Sequence, residues 1–500
     1  MIIVGAGLSG IGAAVHLQRD CPGKKYVILE ARNAIGGTWD LFRYPGVRSD
    51  SDMHTLGYDF KPWRDAKSIA DGPSIRKYVR ETAAEYGINP HIRFGKKLHS
   101  ASWSTEDACW ALSVEEPATG KTEKMSCRFL EMCSGYYNYE QPFEPEIAGL
   151  KDFAGMTLSP QFWPEDLDYA GKRVVVIGSG ATAMTVVPSM ADQAAKVTMI
   201  QRSPTYLVSR PDQDAIANWL RKFLPEMWAY RITRFKNTRL QAYMYKRTRT
   251  SPGRVRELLL SGVRKAVGED FTERHFTPSY NPWDQRLCLI PNADLFKAIN
   301  KKKVDVVTGQ IARVTADGVR MQDGTDVKAD ILVVATGLNL LLLGGASFSV
   351  DGESVDFPNT VSYKGMMYSD VPNLIQTFGY INASWTLRAD LTAEYACRVI
   401  NQMDKLGVTQ VTPRLQLHEL NAQRRPWIED FTAGYMQRMM HLFPKQLGTD
   451  PWRNTQNFEL DKKMVRHAPL EDGALLFGKS GALKPMPTRT TVVEEAVSAG

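Results

Sequence analysis

Hydrophobic positions in this chain change period twice in the same way. Ile2-Ile3-Val4 is a short unbroken apolar run that leads into Gly5-Ala6-Gly7-Leu8-Ser9-Gly10. Helical spacing comes next over Ile11–Arg19, and a second apolar run, Tyr26–Leu29, ends in Glu30. The pattern returns with Arg173–Ile177, the turn Gly178-Ser179-Gly180-Ala181-Thr182-Ala183, a helical stretch to about Asp192, and Lys196–Ile200 ending in Gln201-Arg202. Continuous apolar runs alternating with helical periods predict buried parallel strands joined by helices. A strand, a glycine turn, a helix and a second strand form the unit that opens a dinucleotide-binding sheet.

Between about 213 and 280 glycines become scarce and helix formers with apolar periodicity dominate, which predicts an all-helical insertion. After Pro291 the αβ pattern resumes, with strands near Val304–Thr308, Gly318–Gln322 and Ile331–Ala335 closing the second unit. The last 150 residues hold many turns and aromatics and are expected to return to the first unit. The expected fold class is α/β, with two Rossmann-like dinucleotide-binding domains and an all-helical insertion. Residues 1–140 and 336–500 form the first domain, 150–212 and 286–335 the second, and 213–285 the insertion.

Length and composition are consistent with this reading. A chain of 500 residues suggests about three domains. Its 43% apolar and 23% charged residues are ordinary for a globular protein. The net charge of +7 is too modest to argue for a nucleic-acid partner. That charge is uneven, because residues 216–265 hold 13 Lys and Arg against two acids, Glu226 and Glu257. Such a stretch reads either as a solvated helical face or as a weak peripheral contact with an anionic membrane surface. Ile331–Val350 carries no charge over 20 positions, the length of a transmembrane helix. Its β-branched start, with Thr336, Gly337, Asn339, Gly344 and Gly345 after it, predicts a buried strand followed by a turn and loop instead.

The six cysteines, at 21, 109, 127, 133, 288 and 397, form no CxxC pair. A dithiol redox motif and a zinc site are therefore not expected, and the usage fits the cytoplasm. The opening residues do not read as a secretory signal, and none is expected. Met1 sits only four residues before Gly5, which is short for a first strand and suggests a trimmed N-terminus.

The two glycine turns share a backbone design and differ in the charge that closes each unit's second strand. Each turn lets the backbone approach a pyrophosphate and offers it the free N–H groups and partial positive charge of a helix N-terminus. Glu30, 20 residues past Gly10, can accept from a ribose diol and would repel a 2′-phosphate. At the matching place in the second unit stands Gln201-Arg202-Ser203. An arginine fork pairs well with phosphate, the device expected for NADP. Opposite charge preferences imply two different dinucleotides, and FAD in the first unit with NADPH in the second is the economical assignment.

Four further segments bear on function. Gly36-Gly37-Thr38-Trp39-Asp40-Leu41-Phe42-Arg43-Tyr44-Pro45-Gly46 is followed by Asp50. Phe153-Ala154-Gly155-Met156-Thr157-Leu158-Ser159-Pro160-Gln161-Phe162-Trp163-Pro164 precedes the second glycine turn. Cys133-Ser134-Gly135 and Val333-Val334-Ala335-Thr336-Gly337 complete the set. With these segments the chain resembles, over nearly its whole length, the class B flavin-dependent monooxygenases of the Baeyer–Villiger type. Arg43–Met53, Tyr136–Tyr139 and Asn281–Cys288 are similar to the ethionamide-activating branch, which is associated with ketones and thioethers. Ser159 departs from the pattern, since the family has a histidine there that supports the linker between domains.

The resemblance implies that Gly5, Gly7, Ser9, Gly10, Glu30, Gly37, Thr38, Trp39 and Asp50 serve FAD. It implies that Gly178, Gly180, Thr182, Ala183, Arg202 and Ser203 serve NADPH, with Ala335-Thr336-Gly337 linking the two sites. It places Trp452, in the loop Pro451–Asn457, against the nicotinamide. The implied cycle passes through a C4a-peroxyflavin, shielded from water, that converts ketones to esters or lactones and thioethers to sulfoxides. Arg286 resembles the active-site arginine, whose guanidinium keeps its charge throughout, and Asp50 resembles the acid that orients it. Without the resemblance, these two residues read as a structural ion pair. Gln285 stands where the family often has a lysine, which leaves more of the NADPH selectivity to Arg202. Tyr363–Tyr368, Gly379–Trp385 and the helical insertion are candidates for an apolar pocket lining, or plain core. Three alternatives stay open: an S- or N-oxygenase without ketone activity, an NADPH oxidase or reductase, and a non-enzymatic dinucleotide sensor.

Overall fold

The computed structural model describes residues 1–429 and 431–484. Ile2–Val4 is fully buried and sits mid-sheet, as an unbroken apolar run must when both of its faces are covered. The first sheet is parallel throughout, in the order Leu374–Gln376, Leu130–Met132, Ile2–Val4, Val27–Glu30, Ile92–Phe94. Its edge strand Leu374–Gln376 comes from the last third of the chain. The helix Trp385–Leu406 packs on Leu8–Asp20, the helix that leaves the first glycine turn. Leu8–Asp20 is therefore enclosed between sheet and helix, which explains why ten consecutive residues, Leu8 to Leu17, are buried.

The second sheet repeats the arrangement with strands Val304–Thr308, Lys196–Gln201, Arg173–Ile177, Ile331–Val334 and Met156–Leu158, again all parallel. Gly318–Met321 does not belong to it. Asp323 and Gly324, with φ of +88° at the glycine, turn that segment back into an antiparallel sheet with Ile311–Thr315 and Asp326–Lys328. A third layer is the meander Lys97–Ser104, Cys109–Glu116 and Lys121–Cys127, whose alternating burial marks a sheet with one wet face.

The uncharged run 331–350 is a strand, Ile331–Val334, followed by a loop and the short turn Leu342–Gly345. It then enters the meander as Ser347–Val350, a second strand where the apolar pattern predicts only loop. Among the described residues no helix is long and apolar enough to cross a membrane.

The helical stretch consists of Ala215–Leu220, Glu226–Thr250, Pro252–Val267 and Glu269–His275. It departs after Leu207–Arg210 and returns at Cys288–Pro291, and these two strands pair in parallel. The helices are thus an excursion between two adjacent strands, and Arg286 lies where the chain re-enters the αβ body.

Candidate active site

Both glycine turns open into one cavity of about 1130 Å³. That exceeds the ~300–1,000 Å³ usual for a single small-molecule site. From the first unit it is lined by Gly5, Gly7, Ser9, Glu30, Gly37, Thr38, Trp39 and Asp50. From the second come Gly178, Gly180, Thr182, Arg202, Ser203 and Arg286, while Ala335-Thr336-Gly337 runs between the two. Strand ends and turns supply nearly all of these residues, the place where open α/β sheets bind ligands.

The residues present fit two dinucleotides. Neither Leu8–Asp20 nor Ala181–Met190 has a side-chain cap at its N-terminus, so both present free N–H groups toward the cavity. Gly7 and Gly37 bring two backbones together, since a Cβ on Gly37 would lie 3.1 Å from the Gly7 Cα. Ser134 Oγ and Thr336 Oγ1 line the cavity buried and without a hydrogen-bond partner, two polar atoms that a ligand would satisfy. Glu30 is buried and held by backbone, with Ala6 N–H donating to Oε2 at 2.7 Å and Arg32 N–H to Oε1 at 2.8 Å. Each oxygen keeps a second lone pair for a ribose hydroxyl. Burial pushes the Glu30 carboxyl above its usual range, against the pull of those two N–H groups. Arg202 is exposed at the lining and makes no ion pair among the described residues, which leaves its fork open for a phosphate.

Arg286 and Asp50 meet in the same cavity, with Nη2 to Oδ2 at 3.9 Å. Arg286 Nη1 donates to the Ile381 carbonyl at 3.4 Å, and its own carbonyl accepts from Thr205 Oγ1 at 3.1 Å. Burial works against the Arg286 charge, but Tyr435 and Asp50 more than offset it and raise its pKa above the usual value. Burial pushes Asp50 up as well, with Arg286, Arg48 and Arg210 pulling it back.

Around the pair stands an aromatic wall. Tyr136 stacks on Trp385 with ring centroids 5.2 Å apart, and its hydroxyl meets that of Tyr137 at 2.7 Å. Trp385 Nε1 donates to Ser9 Oγ at 2.8 Å, which ties the wall to the first glycine turn. Tyr435 and Arg438, from the helix Gly434–Met439, also line the cavity, and Arg438 covers the Phe143 ring at 3.7 Å.

Three expected ligand residues lie elsewhere. Gly10 sits behind the turn, where a Cβ would overlap the Gly5 carbonyl oxygen at 1.8 Å. Its absent side chain lets helix and strand cross closely, and it does not line the cavity. Ala183 is fully buried in the core of the second unit, among Val174 and Val186. Trp452 is a correction: it is wholly buried, donates from Nε1 to Glu419 Oε2 at 2.9 Å, and meets the Tyr363 ring edge-on at 5.5 Å. Its indole is satisfied inside the C-terminal core and not at the cavity. Tyr363, Met367 and Tyr368 are likewise core, whereas Tyr380 and Trp385 line the cavity.

Tyr435 and Arg438 carry no motif, and only the fold shows their place. Ser159 lies in the linker, accepting from Gln161 N–H at 3.4 Å as the cap of the turn Pro160–Phe162. There Gln161, buried, donates to the Asn138 carbonyl at 2.8 Å and joins the linker to the segment that ends the first unit.

Comparison with known proteins decides the family. Residues 3–70 match the family model of the NAD(P)-binding Rossmann-like domain, and residues 76–340 match that of L-lysine 6-monooxygenase/L-ornithine 5-monooxygenase. The chain is 51% identical over 484 residues to the FAD-containing monooxygenase EthA of Mycobacterium tuberculosis, covering 96% of this chain and 98% of that one. The chain belongs to the FAD-containing monooxygenases. Its fold is similar to that of an oxidized steroid monooxygenase bound to NADP, with a TM-score of 0.73 at 19% identity over 96% of this chain and 99% of the other. It is also similar to cyclohexanone monooxygenase from Rhodococcus sp. Phi1 bound to NADP+, with a TM-score of 0.72 at 20% identity over 96% and 98% of the two chains.

Proposed function

We propose that this enzyme inserts one oxygen atom of O2 into ketones, giving esters or lactones, and into thioethers, giving sulfoxides. It is an FAD- and NADPH-dependent monooxygenase, as its family and its two-turn cavity require. Residues 1–140 and 336–500, of which 430 and 485–500 lie outside the described residues, hold FAD, 150–212 and 286–335 hold NADPH, and 213–285 are the helical insertion. The observation that carries the proposal is the position of Arg286, at 3.9 Å from Asp50 in the one cavity that both glycine turns share.

When bound, FAD supplies the oxygen-activating chemistry and NADPH the hydride. The chain's own groups supply position and charge. Arg286 cannot lose its proton at any working pH, so it offers a fixed cation to negative charge that develops in the cavity. Asp50 and the Ile381 carbonyl fix the direction of that cation. The wall of Tyr136, Tyr137, Trp385 and Tyr435 lines the cavity beside Arg286 and, with both cofactors bound, would limit water at the reacting region. Arg202 selects NADPH through its 2′-phosphate, and Glu30 selects the dinucleotide that lacks one. The six cysteines are all unpaired, which supports a cytoplasmic location.

The test tracks NADPH consumption, peroxide release and product together, in FAD-loaded protein given a linear methyl ketone or an aryl methyl sulfide. Ester and sulfoxide with little peroxide are expected. Sulfoxide alone would restrict the enzyme to S-oxygenation, and peroxide alone from both substrates would make it an NADPH oxidase.

A further inference from the structure

Of the seventeen large hydrophobic side chains exposed among the described residues, ten lie between 216 and 258. The helix Glu226–Thr250 explains part of this concentration. Its inner face is already packed: Ala229, Tyr230 and Thr233 are buried, and Tyr230 Oη donates to the Tyr58 carbonyl at 2.8 Å. Its outer face carries Trp228, Ile232, Phe235 and Tyr243, spaced i, i+4, i+7 and i+15, which places all four on one side of the helix. They are 63%, 43%, 62% and 58% exposed. Just before the helix, Trp219 and Phe223 pack together with ring centroids 5.2 Å apart, and they too are 59% and 68% exposed. An apolar stripe aimed at water on a helix whose other side is already in the core marks a contact surface.

We propose that this face is a docking surface for an anionic lipid membrane, on which the helix lies flat. The charge pattern selects that partner. Lys222, Arg231 and Lys246 flank the aromatics without an ion-pair partner among the described residues, and Arg239 has only a long contact to Glu459 at 3.6 Å. Over residues 216–265 cations outnumber acids 13 to two. A second copy docked by two-fold symmetry would set this basic surface against itself, with only Glu226 and Glu257 to answer 13 cations. Exposed Trp, Phe and Tyr flanked by Lys and Arg is the composition of helices that rest at the headgroup boundary. The 25-residue helix offers roughly 37 Å of length for that contact. Since no helix of the described residues can cross a bilayer, the contact is peripheral.

The experiment sediments the full-length, FAD-loaded protein with vesicles of phosphatidylcholine alone or of phosphatidylcholine and phosphatidylglycerol in equal parts. Binding to the anionic vesicles is expected to exceed that to neutral ones roughly tenfold at low salt, and to be lost at high salt. The variant Trp228→Ser/Phe235→Ser, and separately Lys222→Glu/Arg231→Glu, should each lower anionic-vesicle binding roughly tenfold while flavin content stays that of the parent. Absence of binding to the anionic vesicles would overturn the proposal, as would full binding by both variants. A parent that fails to bind vesicles but whose sedimentation mass falls on Trp228→Ser/Phe235→Ser would assign the face to a second copy instead. Vesicle binding does not depend on the substrate, so its failure is separable from failure of the oxygenation reading.

Discussion

Arg286 Nη2 stands 3.9 Å from Asp50 Oδ2, with the two side chains 37% and 22% exposed. This is a loose pair, close enough to aim the guanidinium and too long to neutralise it. A closed structural ion pair would show two short bonds. Arg286→Ala is therefore expected to lower product formation by about 100-fold or more, as for removal of one fixed donor at developing negative charge. Arg286→Lys should recover only part, because an ammonium keeps the charge but not the fork. Product assay against flavin content checks both variants.

Gln456 is linked to the same arginine through Ile381. Its side-chain oxygen accepts from Ile381 N–H at 3.0 Å, and the Ile381 carbonyl accepts from Arg286. Gln456 itself holds φ at +47°, an uncommon conformation for a side chain of this size. We expect Gln456→Ala to raise peroxide release per NADPH several-fold, with KM for NADPH little changed. An unaltered ratio of product to peroxide would mean that the Ile381 peptide needs no such support.

Arg202 is the exposed cation of the second unit's cavity lining. Loss of charge-assisted bonds worth about 1.5–3 kcal/mol corresponds to roughly 10- to 150-fold. Arg202→Ala should raise KM for NADPH by that order and leave KM for NADH nearly unchanged. Equal loss toward both nucleotides would move the 2′-phosphate elsewhere in the cavity.

Trp452 gives the opposite expectation. As a fully buried residue it should destabilise the fold by about 3–5 kcal/mol when truncated to alanine. Trp452→Phe should fold, and its ratio of product to peroxide should equal that of the parent. Thermal unfolding together with peroxide assay separates the two readings of this residue.

Glu131 lies mid-strand in Leu130–Met132, 1% exposed, and burial pushes its carboxyl up to about 7. A carboxyl raised in the folded state binds protons that the unfolded chain releases, so stability falls as pH rises from about 4.5 to about 7 and stays lower above. Glu131→Gln should remove that loss. It should stabilise the protein at pH 8 by up to about 3 kcal/mol and change little at pH 4. Unfolding temperatures across pH check the difference, and a variant no more stable at pH 8 would contradict it.

The sequence made the two nucleotide turns legible because phosphate binding demands glycine, an uncapped helix start and a charge at a fixed distance. Seventeen of the named residues, from Gly5 to Gly337, line one cavity. Gly10 and Ala183 were legible as motif positions, but their part is close packing, which spacing alone cannot tell from ligand contact. Trp452 misled because an aromatic near a family-like loop reads the same whether it faces a cofactor or the core, and only Glu419 and Tyr363 reveal which. Tyr435 and Arg438 were not legible, since they reach the site by long-range packing and no local pattern marks them, whereas Ile381 falls within Gly379–Trp385, a segment legible only as pocket lining or core. The antiparallel place of Gly318–Met321 was set by the turn at Asp323-Gly324, a short-range signal that was present in the sequence.

The central claim is that one atom of O2 enters the substrate for each NADPH used. The direct measurement runs the FAD-loaded enzyme under 18O2 with NADPH and a methyl ketone or methyl sulfide, and reads the product by mass spectrometry. The account predicts one 18O atom in the ester or sulfoxide, with product formed in near-equal amount to NADPH consumed. Unlabelled product, or NADPH oxidised with all the label in peroxide, would contradict it.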